Sequence, residues 1–156
     1  MIQRRWCAAV LLVAACGGAA TTSEVHPANT ASGAVQEFMK AVADSNVAGM
    51  AALWGTPAGP AGRTRQPADY ERRIVVMRSY LAHDDFRVVG DAADGVETRR
   101  ALQVQIRRGA CTWTVPFATI RLSDGTWIVN QVDLAQAGNP ARPCDPSAQD
   151  TARTTP

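Results

Sequence analysis

The apolar residues of this 156-residue chain change their spacing at His83-Asp84-Asp85, recurring with a helical period before it and alternating after it. Val35, Phe38, Met39 and Val42 fall at i, i+3, i+4 and i+7, which predicts an amphipathic helix capped by Ser32 and broken at Asp44-Ser45-Asn46. Asn46 is placed to cap a second, shorter helix whose Val47, Met50, Leu53 and Trp54 form an apolar stripe, ended by Gly55 and Pro57. The Pro/Gly-rich segment from Gly55 to Pro67 is expected as a loop. From about Pro67, the recurrence of Tyr70, Ile74, Met77 and Leu81 predicts a third helix, with Asp69 and Glu71 in its first turn, where the dipole favours them. Each helix has one apolar face and needs a broad surface to pack on.

The alternating half supplies that surface. Phe86 to Val89 is a predicted first strand, and Ala101 to Arg107 places Leu102, Val104 and Ile106 on one face and Gln103, Gln105 and Arg107 on the other. A turn at Arg108-Gly109-Ala110 leads into Cys111 to Leu122. There Trp113, Val115 and Phe117 share a face until Pro116, after which Ala118, Ile120 and Leu122 carry the apolar set, so a bulge is expected at that point. Asp124-Gly125 then turns the chain into Thr126 to Leu134. The expected fold class is α+β, with three N-terminal helices packed on a curved antiparallel sheet of about four strands.

The extreme N-terminus carries a different kind of signal. Residues 6 to 15 form a short apolar run behind Arg4 and Arg5, too short for a permanent membrane span and ending in Val13-Ala14-Ala15-Cys16. This resembles the lipobox of a bacterial lipoprotein. The resemblance implies a signal peptide over 1–15, lipidation of Cys16 as the first mature residue, export, and anchoring to a membrane of the cell envelope. In a Gram-negative cell, Gly17 after that cysteine resembles an address for the outer membrane facing the periplasm. Gly17 to Ala31 lacks apolar periodicity and reads as a flexible tether over 16–31, leaving one domain over 32–144 and a disordered tail over 145–156.

Of the four cysteines, Cys7 then leaves with the signal and Cys16 is acylated, so Cys111 and Cys144 are the even pair in an oxidising compartment, where a disulfide is expected. The meander supports it: with the hairpin closed at Asp124, Leu134 pairs near Thr114, and residues 135–143 need only fold back a short way. His26 and His83 have no metal-type spacing to either cysteine, and the adjacent His83-Asp84-Asp85 cannot converge on one ion, so no metal or other cofactor is expected. His83 suits the third helix's C-terminal dipole instead. Sixteen basic side chains less Arg4 and Arg5 leaves fourteen, which the fourteen acidic ones cancel. That balance points away from nucleic acid.

Three helices followed by a bent antiparallel sheet, an Asn46-centred break and a closing Gly125-Thr126-Trp127 strand resemble the cone-shaped nuclear transport factor 2-like superfamily over about residues 32 to 134. That resemblance implies a pocket at the open end of the cone, used by different members for ligands, catalysis or dimerisation. Trp54, Trp113, Phe117 and Trp127 are the pocket candidates. The superfamily's isomerases and dehydratases need a carboxylate base and a hydroxyl donor in that pocket, and no such set carries over, since Phe38 stands where a Tyr donor is wanted. Asp85, Tyr70 and Tyr80 are the weak catalytic candidates. No Gly-rich phosphate loop, nucleophile elbow or Cys-His dyad occurs. The leading expectation is a membrane-tethered module that binds a partner protein or a small apolar ligand; the alternatives are a small isomerase- or dehydratase-like enzyme and a dimeric structural module.

Overall fold

The computed structural model describes residues 26–142 and 144–145. The expected signal peptide, Cys16 and all of the expected tail beyond Asp145 lie outside those residues. The described chain is α+β: four helices and a four-stranded antiparallel sheet, with a small two-stranded hairpin among the helices. No helix among the described residues is long and apolar enough to cross a membrane.

Helix α1 (Ala31–Ala43) starts two residues earlier than a Ser32 cap would place it. Thr30 is the cap, its Oγ1 accepting from the Gly33 N–H at 3.0 Å. The reason lies in tertiary contact: the Ala28 carbonyl accepts from the Trp127 N–H at 2.9 Å, which brings the chain in already extended. Residues 28–31, expected in the tether, are therefore docked on the domain. The predicted stripe of Val35, Phe38, Met39 and Val42 is buried, and α1 packs on the last two strands of the sheet. Helix α2 (Val47–Leu53) is capped as expected, with Asn46 Oδ1 accepting from Gly49 N–H at 2.8 Å.

The segment from Gly55 to Pro67 is not a plain loop. It holds β1 (Gly55–Thr56), β2 (Gly59–Pro60) and a four-residue helix α3 (Ala61–Thr64), so the helices number four rather than three. A Cβ on Gly55 would lie 2.2 Å from the Gly59 carbonyl oxygen, so the tight hairpin requires glycine there. Ala61, wholly buried, donates its N–H to the Trp54 carbonyl at 2.8 Å and folds the segment back under α2. Helix α4 (Tyr70–Leu81) begins three residues after Pro67, and Tyr70, Ile74, Met77 and Leu81 are all buried.

The sheet is a meander in the order β3-β4-β5-β6. Strand β3 (Asp85–Ala93) is longer than the predicted 86–89 and bulges at Val89, which is skipped between the Val88 and Gly90 pairings. In β4 (Arg99–Arg108) the inner residues Leu102, Val104 and Ile106 are fully buried, as the alternation requires. The bulge expected in β5 (Cys111–Arg121) is elsewhere. Pairing of β5 with β4 runs unbroken past Pro116, and Val115, Phe117 and Thr119 all stay buried. The slip is in β6 (Trp127–Val132), where Ala118 faces Gln131 but Thr119 faces Val129, leaving Asn130 as the extra residue. Val129 and Val132, three apart, both reach the core only because of it. Ile120, read as core-facing, instead pairs with Ile128 on the opposite face.

The core lies between the helices and the inner sheet face, with the Phe38 and Phe117 rings edge to face at a centroid distance of 6.3 Å. After β6, Asp133 donates its N–H to the Pro116 carbonyl at 2.9 Å, and Leu134 opens a 3-10 turn (Leu134–Ala137) rather than pairing near Thr114. The chain then folds back and the disulfide joins Cys111 to Cys144, whose Cα atoms are 5.9 Å apart.

Candidate functional site

Helix α4 and strand β6 do not close on each other completely, and the gap between them is a cleft of about 310 Å³. The turn of chain at Trp54 explains its position: Trp54 bridges in parallel to Val129, and Asn130 Nδ2 donates to the Gly55 carbonyl at 2.8 Å, holding the start of the small hairpin against β6. Trp54, only 7 % exposed, thus forms the back of the cleft. Met77 and Val76 of α4 line one side, and Val132 and Leu134 line the other. Val76 is 40 % exposed, so this apolar lining continues to the protein surface.

The first turns of α4 supply the charge. Arg73 Nε donates to Asp69 Oδ1 at 2.9 Å, one helical turn away, and this bond holds the Asp69 carboxyl below its ordinary pKa of 3.8. Arg72, which is exposed, also lines the cleft; its charge helps to lower the Asp69 pKa, but it donates no hydrogen bond to any described residue. Asn130 and Gln131 are the polar groups of the β6 side. The cleft therefore combines apolar walls with one exposed guanidinium at its edge that has no hydrogen-bond partner among the described residues, an arrangement suited to binding and orienting a small molecule.

The four pocket candidates do not share a site. Trp54 lines the α4–β6 cleft, whereas Trp127 lines a separate cleft of about 200 Å³ with Leu53, Leu122 and Ile128. Phe117 is a core residue packed on Phe38. Trp113 lies beneath the guanidinium of Arg108, 4.5 Å from its ring centroid. Arg108 in turn donates through one terminal nitrogen to the Tyr80 carbonyl at 3.2 Å and to the Ala137 carbonyl. Burial pushes its pKa below the usual arginine value.

The catalytic candidates are dispersed as well. Tyr70 donates its hydroxyl to Glu71 Oε1 at 3.0 Å and accepts from Arg65 at 3.1 Å, and the bond to Glu71, with burial, raises its pKa above 10.0. A phenol held protonated in that way is not poised to lose a proton near neutrality. It lines a separate groove with Ala48, Ala51, Ala52, Pro60, Gly62 and Arg63, away from Tyr80 and Asp85. Tyr80 lies ten residues further along α4, about 15 Å away at helical rise. Asp85 opens β3 and is exposed opposite Arg107. His83 Nδ1 donates to the Leu81 carbonyl at 2.8 Å, in keeping with the dipole reading. No cluster of potential metal ligands exists among the described residues.

The sheet face turned away from the helices exposes Arg87, Gln103, Arg107 and Thr114. Comparison with protein-family models, with curated proteins and with solved structures finds no match for this chain.

Proposed function

We propose that the protein is an exported envelope lipoprotein, anchored by acyl chains on Cys16, whose cone-like domain binds a small, largely apolar ligand in the α4–β6 cleft at the membrane surface. The observation that carries the ligand reading is the continuity of apolar lining from buried Trp54 to exposed Val76 in a space of about 310 Å³, within the range of small-molecule sites. Helices on one face of a bulged sheet, leaving a cavity at one end, support the nuclear transport factor 2-like reading. The polar outer sheet face favours a ligand in the cleft over a partner packed on the sheet.

Two measurements test this. The full chain with Cys16→Ser is expected to move from the membrane to the soluble fraction, and unchanged membrane partitioning contradicts the anchor. The mature domain is expected to bind the neutral apolar dye N-phenyl-1-naphthylamine saturably at one site, with loss of at least about tenfold in affinity in Val76→Asp. Binding that is absent, or unaffected by that substitution, contradicts the cleft.

A further inference from the structure

We infer that the ligand of the α4–β6 cleft is a single-chain amphiphile carrying one carboxylate, which Arg72 receives while the apolar chain lies against Trp54, Met77 and Val132. This rests on the ligand reading above and adds the ligand's charge and its receptor. Three charged side chains line the cleft: Asp69, Arg72 and Arg73. Two of them cancel, because Arg73 is committed to Asp69 through a 2.9 Å hydrogen bond. Arg72 is left with its donors unused by any described residue. One guanidinium fork matches one planar carboxylate.

The same inventory limits the charge the ligand can carry. Asp69 is held ionised chiefly by Arg73, with a smaller contribution from Arg72, so a second negative charge on the ligand meets a fixed carboxylate beside the lining cation whose donors are open. A cationic headgroup meets Arg72 and is repelled. A neutral headgroup keeps the apolar contacts but leaves the guanidinium to water. On the β6 side, one N–H of the Asn130 amide is spent on the Gly55 carbonyl, and the neutral amides of Asn130 and Gln131 are weaker carboxylate donors than the Arg72 guanidinium.

The test is isothermal titration of the mature domain at low ionic strength and pH 7.5 with decanoate, decanol, decyl phosphate and decyltrimethylammonium, each below its micelle concentration. Decanoate is expected to bind tightest, about 5- to 20-fold tighter than decanol, with decyl phosphate and decyltrimethylammonium weaker than decanoate. Arg72→Gln is expected to bring decanoate down to the decanol level, and Arg72→Lys, which keeps the charge but loses the fork, to retain only part of the preference. Asp69→Asn frees Arg73 and is expected to tighten decanoate binding, a gain that misfolding cannot mimic. Decanol binding as tightly as decanoate, or a preference untouched by Arg72→Gln, overturns the carboxylate assignment while leaving the apolar cleft standing. Tighter binding of the phosphate or the cation overturns it equally. If none of the four binds, the cleft is not a ligand site and both readings fall.

Discussion

The Arg108 guanidinium lies over the Trp113 ring, 4.5 Å from its centroid, and reaches the backbone of two other elements from there. Its contacts to the Tyr80 and Ala137 carbonyls join the end of α4 and the 3-10 turn to the β4–β5 hairpin, while its buried Nε has no partner among the described residues. Arg108→Met removes the donors of both carbonyls and the cation–π contact, and also removes the unsatisfied Nε. The first loss outweighs the second, so a net destabilisation of about 1–3 kcal/mol is expected, read as a lower urea midpoint at constant slope. Arg108→Lys is expected to recover little, since an ammonium cannot stack on the ring and reach two carbonyls with the same geometry. An unchanged midpoint in Arg108→Met contradicts this bracing role.

Gly138 closes the other side of the same contact. Its φ is +70°, and a Cβ there would lie 2.5 Å from Trp113 Nε1. Gly138→Ala is expected to destabilise the fold by about 1–3 kcal/mol from backbone strain together with the clash. Pairing it with Trp113→Leu is expected to relieve part of that cost, visible as a favourable coupling in a double-mutant cycle. Simple additivity of the two substitutions contradicts the contact.

The disulfide sits one step further along, with Cys111 directly opposite Arg108 across the β4–β5 pair. It spans a sequence separation of 33, and chain entropy assigns such a closure about 4 kcal/mol. Reduction, or Cys144→Ala, is therefore expected to lower the thermal midpoint by more than 10 °C in a domain of this size, roughly. Identical melting with and without reductant contradicts a stabilising bridge.

Much of this was legible because the inner faces are plainly patterned. The stripes of α1, α2 and α4 and the run of Leu102, Val104 and Ile106 contain no polar interruption, and all but the half-buried Val47 are buried where the period puts them. The short hairpin and α3 were not legible, since they depend on the approach of Gly55 to Gly59 rather than on hydrophobic pattern. The misplaced bulge has a similar cause. Ala118, Ile120 and Leu122 imitate a core face, and only pairing with β6 shows that the extra residue is Asn130. Extending the series of Leu102, Val104 and Ile106 by two positions reaches Arg108, so its inward side chain was implied by an alternation that the Arg107-Arg108 pair obscured. The cleft itself joins residues as distant as Trp54, Met77 and Leu134, a relationship carried by tertiary packing alone.

Acid should weaken one local anchor. Asp124 Oδ1 accepts from the Thr126 N–H at 2.9 Å in the β5–β6 turn, and this bond lowers the carboxyl below its ordinary 3.8. A depressed carboxylate stabilises the fold above the unfolded pKa and loses that contribution as pH falls through the lower folded value. The difference in urea midpoint between the native chain and Asp124→Ala is expected to be constant from pH 5 to 7 and to shrink below about pH 4. A difference that stays constant into strong acid contradicts an ionised cap at this turn.

The proposed anchoring of the domain depends on acylation of Cys16. Mass spectrometry of the mature N-terminal peptide from membrane-extracted protein measures it directly: the peptide is expected to begin at Cys16 and to carry acyl chains. A peptide that retains residues before Cys16, or that begins there without any lipid mass, contradicts a membrane-tethered binding domain.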